Sequence, residues 1–68
     1  MANSLTLPPL FSPQVLSEYV EIPTTTLAQW RWAGTGPAYV KVGRMVRYRR
    51  EDVEAWLDSQ RHETTEAI

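Results

Sequence analysis

Cysteine is absent from the 68 residues of this chain, and histidine occurs once, at position 62. Without cysteine the chain can form no disulfide and offers no thiolate ligand to a metal ion. His62 cannot build a metal site by itself, because such a site needs several convergent ligands. We therefore expect the protein to contain neither a metal ion nor any other cofactor.

Long apolar runs are also missing, since no stretch approaches the roughly 20 residues that cross a bilayer. Residues 1–10 lack the basic and apolar regions of a secretory signal. So short a chain leaves little room for a walled pocket, and no nucleophile stands beside a recognisable base. We expect a cytoplasmic protein with no membrane contact, no small-molecule ligand and no enzymatic activity.

The charged residues are unevenly distributed, although the formal net charge is −1. Residues 1–21 carry two acids and no base, residues 22–50 six bases and no acid, and residues 51–68 six acids and one base. A basic middle segment between acidic flanks predicts one cationic face, which attracts phosphates. The alternative is a solvated surface on which like charges happen to cluster.

The first third of the sequence predicts an extended segment and then a helix. A proline pair keeps the lead-in at residues 1–11 extended. Ser12 followed by Pro13 is typical of a helix start, with serine as the N-cap and proline at the first helical position. A first helix is therefore predicted over residues 13–20.

A second helix follows after a short turn. Pro23 interrupts the first helical pattern, because proline disfavours the helical conformation of the residue before it. Thr24 is the candidate N-cap of a helix over residues 25–33, and Gly34 is its natural stop. Two helices joined by so few residues have the spacing of a helix-turn-helix.

Residues 38–48 alternate like a β-hairpin around Gly43. A two-residue loop would mix apolar and charged side chains on one face, because it pairs Val40 with Arg47. A three-residue loop collects the apolar side chains on one face, so it is the register that we predict. It also sets Lys41 opposite Arg47, and an anion between them would relieve the repulsion. The predicted pairs are Val42 with Val46, Lys41 with Arg47 and Val40 with Tyr48.

A third helix is predicted over residues 50–60. Acids in its first turn suit the helix dipole, and Val53, Trp56 and Leu57 have the i, i+3, i+4 spacing of a buried stripe. The residues beyond it are polar, and we expect them to fray. The predicted division of the chain is an extended lead-in at residues 1–11, a folded domain at residues 12–60 and a polar tail at residues 61–68.

One side of the second helix carries polar but uncharged residues. A helical wheel with Leu27 and Trp30 buried places this face on the opposite side. Threonine and glutamine can hydrogen-bond to base edges, and alanine can contact a thymine methyl, so the face is suited to reading bases. The alternatives are that Thr24 merely caps the helix and that Trp32 packs on the hairpin. The residues of this face are Thr25, Ala28, Gln29 and Trp32.

Five short motifs follow one another in a specific order and spacing. They are I-P-x-x-T-L at residues 22–27, W-R-x-x-G-x-G-P at 30–37, K-V-G at 41–43, V-R-Y at 46–48 and D-V-E-A-W-L at 52–57. Together they resemble the excisionase-type winged helix-turn-helix family, which is similar in fold to the MerR-type and AlpA-like regulators. The resemblance implies an α+β fold: a helix-turn-helix, then a β-hairpin wing, then a C-terminal helix. It places helix two in the major groove and the wing against the backbone or minor groove.

Two features depart from the family pattern. Glu21 stands in the turn where many relatives have glycine, so it is strained if its φ is positive. MerR-type proteins continue into a dimerising coiled coil, and no such seam is visible in this sequence. We therefore expect a monomer in solution rather than a ligand-sensing MerR regulator.

The family implies a function for such a module. A phage excisionase binds repeats in the arms of an attachment site, bends the DNA and directs an integrase toward excision. Head-to-tail self-association on the DNA is compatible with that role. The alternatives are a small transcriptional regulator that uses the same surface and a protein-interaction module with no DNA role.

The predicted DNA contacts fall into two groups. The residues predicted to read bases are Thr25, Ala28, Gln29 and Trp32. The residues predicted to contact phosphates or the minor groove are Thr24, Arg31, Lys41, Arg44, Arg47 and Arg49.

Overall fold

The computed structural model describes residues 7–63. Over these residues the chain forms three helices and a three-stranded antiparallel sheet, which confirms the predicted α+β winged helix-turn-helix fold. In chain order the elements are β1 (Leu10–Phe11), α1 (Pro13–Val20), α2 (Thr24–Ala33), β2 (Val40–Val42), β3 (Met45–Arg49) and α3 (Arg50–Ser59). The start of the predicted lead-in, at residues 1–6, and most of the predicted tail, at residues 64–68, lie outside the described residues. The division into lead-in, domain and tail stays a prediction.

Helix α1 begins and ends where the sequence predicts. Ser12 has an extended backbone, and its Oγ accepts a hydrogen bond from the backbone N–H of Val15 at 3.3 Å. Pro13 occupies the first helical position. At the other end Glu21 has a φ of 59°, in the left-handed region. A residue with a Cβ pays about 1–2 kcal/mol for that conformation, so the structure confirms the strain expected at Glu21.

Helix α2 begins one residue earlier than predicted. Its N-cap is Pro23, with φ −59° and ψ 147°, and the Pro23 carbonyl accepts from the N–H groups of Thr26 and Leu27 at 3.0 and 3.1 Å. The prediction that Thr24 caps this helix is therefore wrong. An N-cap must supply a carbonyl and an extended backbone, and proline provides both. The helix ends at Gly34, whose φ of 78° confirms the predicted stop.

The hairpin between β2 and β3 has a two-residue loop, so the predicted three-residue loop is wrong. Of the two loop residues, Gly43 and Arg44, only Gly43 has a positive φ, at 64°. This is the pattern of a type II′ turn, whose twist matches that of the flanking strands. The geometry of the turn therefore determines the register, and the segregation of apolar side chains does not. As a result, Lys41 lies opposite Val46 and not opposite Arg47. The observed pairs are Val40 with Arg47, Lys41 with Val46 and Val42 with Met45.

The register gives the hairpin two different faces. Tyr48 is buried in the core, and Val46 packs against it on the same face of β3. Side chains alternate along a strand, so Met45 lies on the opposite face together with its cross-strand partner Val42. The loop length therefore moves Met45 and Val42 away from the core.

The sequence did not predict the strand β1, which gives the sheet the order β1-β3-β2. Phe11 on β1 lies opposite Tyr48, and their rings stack with centroids 6.3 Å apart. Arg50 holds the preceding segment in place, because its guanidinium donates to the Leu7 carbonyl at 2.9 Å and its backbone N–H to the Pro9 carbonyl at 3.0 Å. The segment before α1 is therefore part of the folded core.

The core joins all three helices to β1 and β3. On its margin, α2 and α3 meet through Trp30 and Trp56, whose ring centroids lie 5.5 Å apart. Helix α3 carries Glu51 and Asp52 in its first turn, as predicted, and ends one residue before its predicted end. The stripe predicted on this helix faces the core: Val53 is fully buried, and Trp56 and Leu57 are half-buried. Among residues 7–63 the buried hydrophobic side chains of this core are Leu7, Phe11, Leu16, Leu27, Tyr48 and Val53.

Candidate nucleic-acid interface

The polar face predicted on α2 exists and is open to solvent. Its members are spaced i, i+3, i+4 and i+7, so they share one side of the helix. Leu27, on the other side, is 1% exposed, whereas Trp32 is 91% exposed. Of the two alternatives for Trp32, packing on the hairpin is wrong. The exposed residues of this face are Thr25, Ala28, Gln29 and Trp32.

The N-terminus of α2 offers backbone donors beside this face. The first N–H groups of a helix have no intrahelical acceptor, and no side chain caps them here. Thr24 is half-buried and Thr25 exposed at this end. Backbone donors together with the positive end of the helix dipole favour an anion such as a phosphate.

Arg31 connects the C-terminal part of α2 to the base of the hairpin. Its guanidinium donates to the Tyr48 hydroxyl at 2.8 Å and lies over the rings of Tyr39 and Tyr48, 5.8 and 6.0 Å from their centroids. Arg31 is half-buried and lines a surface cavity of about 300 Å³ with residues 34–39. A guanidinium has five donors, so Arg31 can hold this position and still bind an anion in that cavity.

The hairpin carries three of the predicted phosphate contacts. Lys41 and Arg44 are exposed, and within residues 7–63 neither forms an ion pair. Arg47 is half-buried, and its guanidinium donates to the Val46 carbonyl at 2.6 Å. The hairpin therefore presents Lys41 and Arg44 to solvent near its tip, while Arg47 lies closer to the body of the sheet.

Arg49 differs from the other predicted contacts because acids already surround it. Its guanidinium pairs with Glu51, and its Nε lies 4.0 Å from the Asp52 carboxylate. Both acids belong to the first turn of α3. A phosphate at Arg49 would have to compete with these carboxylates, so its attraction there is weaker than at the exposed hairpin cations.

Sequence reasoning missed two features of this region. Tyr39 and Tyr48 together hold Arg31 because the two-residue loop sets them next to each other, with ring centroids 6.3 Å apart. The predicted register paired Tyr48 with Val40 instead. The exposed pair of Val42 and Met45 was missed because the three-residue loop placed Met45 in the turn. A signal for it was present, since glycine at the first position of a two-residue loop is typical of type II′ hairpins.

Away from this region, the described surface carries several exposed acids as well as the bases Arg50 and Arg61. Glu51, Glu54 and Asp58 are exposed on α3, and Glu18 on α1. In the part of the chain that the structure describes, no group of three potential metal ligands clusters. Nor does any helix within residues 7–63 have the length and apolar character to span a membrane.

Comparison with known proteins identifies a family. No curated protein and no solved structure matches the chain significantly. The family model of the helix-turn-helix domain, however, matches residues 10–61. That range runs from β1 past the end of α3 and covers most of the chain. The protein therefore belongs to this helix-turn-helix domain family, a DNA-binding family that includes excisionase-like and AlpA-type proteins.

Proposed function

We propose that this protein is a phage excisionase that binds and bends specific double-stranded DNA in the cytoplasm of the bacterial host. The observation that carries the proposal is an exposed, uncharged face on α2, a helix whose Arg31 is hydrogen-bonded to Tyr48 of the hairpin that carries exposed cations. Recognition of a sequence needs groups that read base edges, and bending needs a second point of contact on the backbone. The protein performs no chemistry itself and uses no cofactor.

The face of α2 would read bases from the major groove. Gln29 can make a bidentate contact to adenine, and Ala28 can contact a thymine methyl. Thr25 lies one turn before Gln29, and Trp32 extends the face toward the end of the helix. This arrangement gives polar contacts at the start of the reading face and a large apolar contact at its end.

Phosphates would be bound on either side of that groove. The N-terminus of α2, with Thr24, holds one phosphate, and the hairpin places Lys41, Arg44 and Arg47 on others. Arg31 and Arg49 are the weaker candidates, because each already has partners within the protein. Contact with about four to six phosphates predicts a log–log salt slope of about −4 to −5.

The partners of such a protein are DNA repeats and a recombinase. We propose that it occupies repeated sites in the arms of an attachment site, with head-to-tail association of copies along the DNA. An integrase that binds the same arms would then be directed toward excision. No small-molecule ligand and no membrane take part in this role.

An excision assay with the integrase of the source element tests the proposal. The substrate is a plasmid that carries the left and right attachment sites, and excision is expected to depend on this protein. Footprinting on the same DNA should show protection of arm repeats. Equal excision without the protein would contradict the excisionase role.

The same assay separates the other functions. Protection of a promoter without any effect on excision would favour a transcriptional regulator. A gel shift without DNA binding at any salt concentration would favour a protein-interaction module.

A further inference from the structure

The tip of the hairpin carries an apolar pair that packs against nothing in the core. Val42 and Met45 are direct cross-strand partners and flank the loop, so their side chains lie together on one face. They are 54% and 55% exposed. Val46, the next residue on β3, instead packs against the core from the opposite face.

Cations flank this apolar pair. Arg44 occupies the loop between the two strands, and Lys41 precedes Val42 on β2, where it pairs with Val46 and so lies on the opposite face of the hairpin. Both are exposed, and neither forms an ion pair among residues 7–63. The tip therefore combines an apolar centre with positive charges, which complements a surface whose edges are anionic and whose interior is apolar.

A DNA minor groove is such a surface, with phosphates along both rims and stacked bases between them. Proteins that kink DNA insert apolar side chains between base steps from this groove, and methionine is among the residues used. Phosphate-binding cations at the sides hold the wedge in place. The type II′ turn keeps the two strands close, so the tip is narrow enough to enter.

We propose that the hairpin tip enters the minor groove and that Met45 inserts between two base pairs as a wedge that kinks the duplex. This inference rests on the proposed DNA binding and supplies the means of bending. Met45 is the wedge because its side chain is long, unbranched and adaptable, whereas the shorter, β-branched Val42 supports it from the neighbouring strand. Lys41 and Arg44 bind the phosphates on the two rims.

The test uses the full chain and a duplex of about 30 base pairs. Its sequence is one that the wild-type protein selects from a random pool, and fluorophores at both ends report the bend by energy transfer. A second set of duplexes carries 2-aminopurine at successive positions, where its fluorescence rises on unstacking. Wild-type protein is expected to bend the duplex by an angle within about 20–90° and to unstack one step.

The informative variants are Met45→Thr, Met45→Leu and Leu10→Thr. Met45→Thr should abolish the 2-aminopurine signal and most of the bend, while Kd changes by no more than about tenfold because phosphate contacts dominate affinity. Met45→Leu should keep both signals, since leucine is also an effective wedge. Leu10 is 46% exposed on β1, at the other edge of the sheet, and Leu10→Thr is the matched control.

The outcomes separate the wedge from DNA binding itself. If the wild-type protein bound no duplex, the proposed function would be contradicted, and so would the wedge that depends on it. Binding with an unchanged bend in Met45→Thr would overturn the wedge alone. If Leu10→Thr lost as much of the bend and of the 2-aminopurine signal as Met45→Thr, the wedge would also be overturned. The bend would then depend on the whole outer face of the sheet and not on Met45.

Discussion

The Arg31 guanidinium donates a hydrogen bond of 2.8 Å to the hydroxyl of Tyr48, a residue that is 1% exposed. This bond is the polar link between the helix that we propose reads bases and the hairpin that we propose binds the backbone. It sets the position of α2 relative to the wing, and thus the spacing of two surfaces that must meet the same duplex.

Tyr48→Phe removes the acceptor of that bond and leaves the ring in the core. Hydrogen bonds to charged groups stabilise more than neutral ones, so the free energy of unfolding should fall by about 1.5–3 kcal/mol. Urea denaturation measures the change. Tyr19→Phe is the control, since Tyr19 is half-buried and its hydroxyl has no hydrogen-bond partner within residues 7–63; it should change stability by less than about 0.5 kcal/mol. Equal losses in the two variants would show that the Arg31 contact contributes nothing.

Glu21→Gly should stabilise the protein. Glu21 has a φ of 59°, and glycine adopts this conformation without the clash of a Cβ. The relief exceeds the extra entropy that glycine loses on folding, so we expect a gain of about 0.5–1 kcal/mol in thermal or urea unfolding. Glu18→Gly, in the middle of α1, should instead cost about 1 kcal/mol. If both variants lowered the free energy of unfolding, the backbone at Glu21 would not be strained.

Gly36 and Gly34 form a matched pair for measuring packing against Trp30. Their φ values are 81° and 78°, so alanine meets the same backbone strain at both, about 1–2 kcal/mol. A Cβ at Gly36 would lie 2.9 Å from Cε3 of Trp30, whereas a Cβ at Gly34 meets nothing within 4 Å. Gly36→Ala should therefore cost about 1–3 kcal/mol more than Gly34→Ala in urea denaturation. Equal costs would show that Trp30 moves aside freely.

Local signals in the sequence were enough to predict the helices. Ser12 and Pro13 define the start of α1, and Gly34 the end of α2, because caps act through neighbouring backbone groups. The hairpin register could not be predicted from the same kind of pattern. Segregating the apolar residues favoured three loop residues, but the turn at Gly43 favours two, and the pairing of Val42 with Met45 shows that the turn prevails.

The sequence patterns could not predict contacts between residues far apart in the chain. Strand β1 has two residues and pairs with β3 from far along the chain, so no periodicity marks it. The polar face of α2 was predictable, since it follows from the burial of Leu27. The surroundings of Arg31 and Arg49 were not, because each depends on which side chains the fold brings near.

Gln29→Ala should change which DNA sequence is preferred. If Gln29 contacts one base pair, the variant loses about 1–3 kcal/mol of discrimination at that position and little elsewhere. Competition binding with duplexes that differ from the selected site at single positions measures this. Gln14→Ala, at an exposed position on α1, is the control and should leave the preference unchanged. If Gln29→Ala instead lost the same affinity for every duplex, Gln29 would contact the DNA backbone and not a base.

Arg44→Ala should weaken binding to all sequences alike and make the log–log salt slope shallower by about one, since one phosphate contact is lost. Arg47→Ala should do the same if its half-buried guanidinium reaches a phosphate. Arg49→Ala should change the slope less, because Glu51 and Asp52 already neutralise that guanidinium. The control is Arg61→Ala, outside the hairpin, where Arg61 pairs with Glu63 at 3.4 Å.

The order of these effects tests where the phosphates lie. Cations that bind phosphates release counterions from DNA. The change in slope should therefore be larger for Arg44→Ala than for Arg49→Ala, and smallest for Arg61→Ala. Titrations of the four variants over a range of salt concentrations give the slopes directly. An unchanged slope in both Arg44→Ala and Arg47→Ala would mean that neither arginine of the hairpin touches the backbone. The phosphate contacts would then have to come from Lys41, from the N-terminus of α2 and from Arg31.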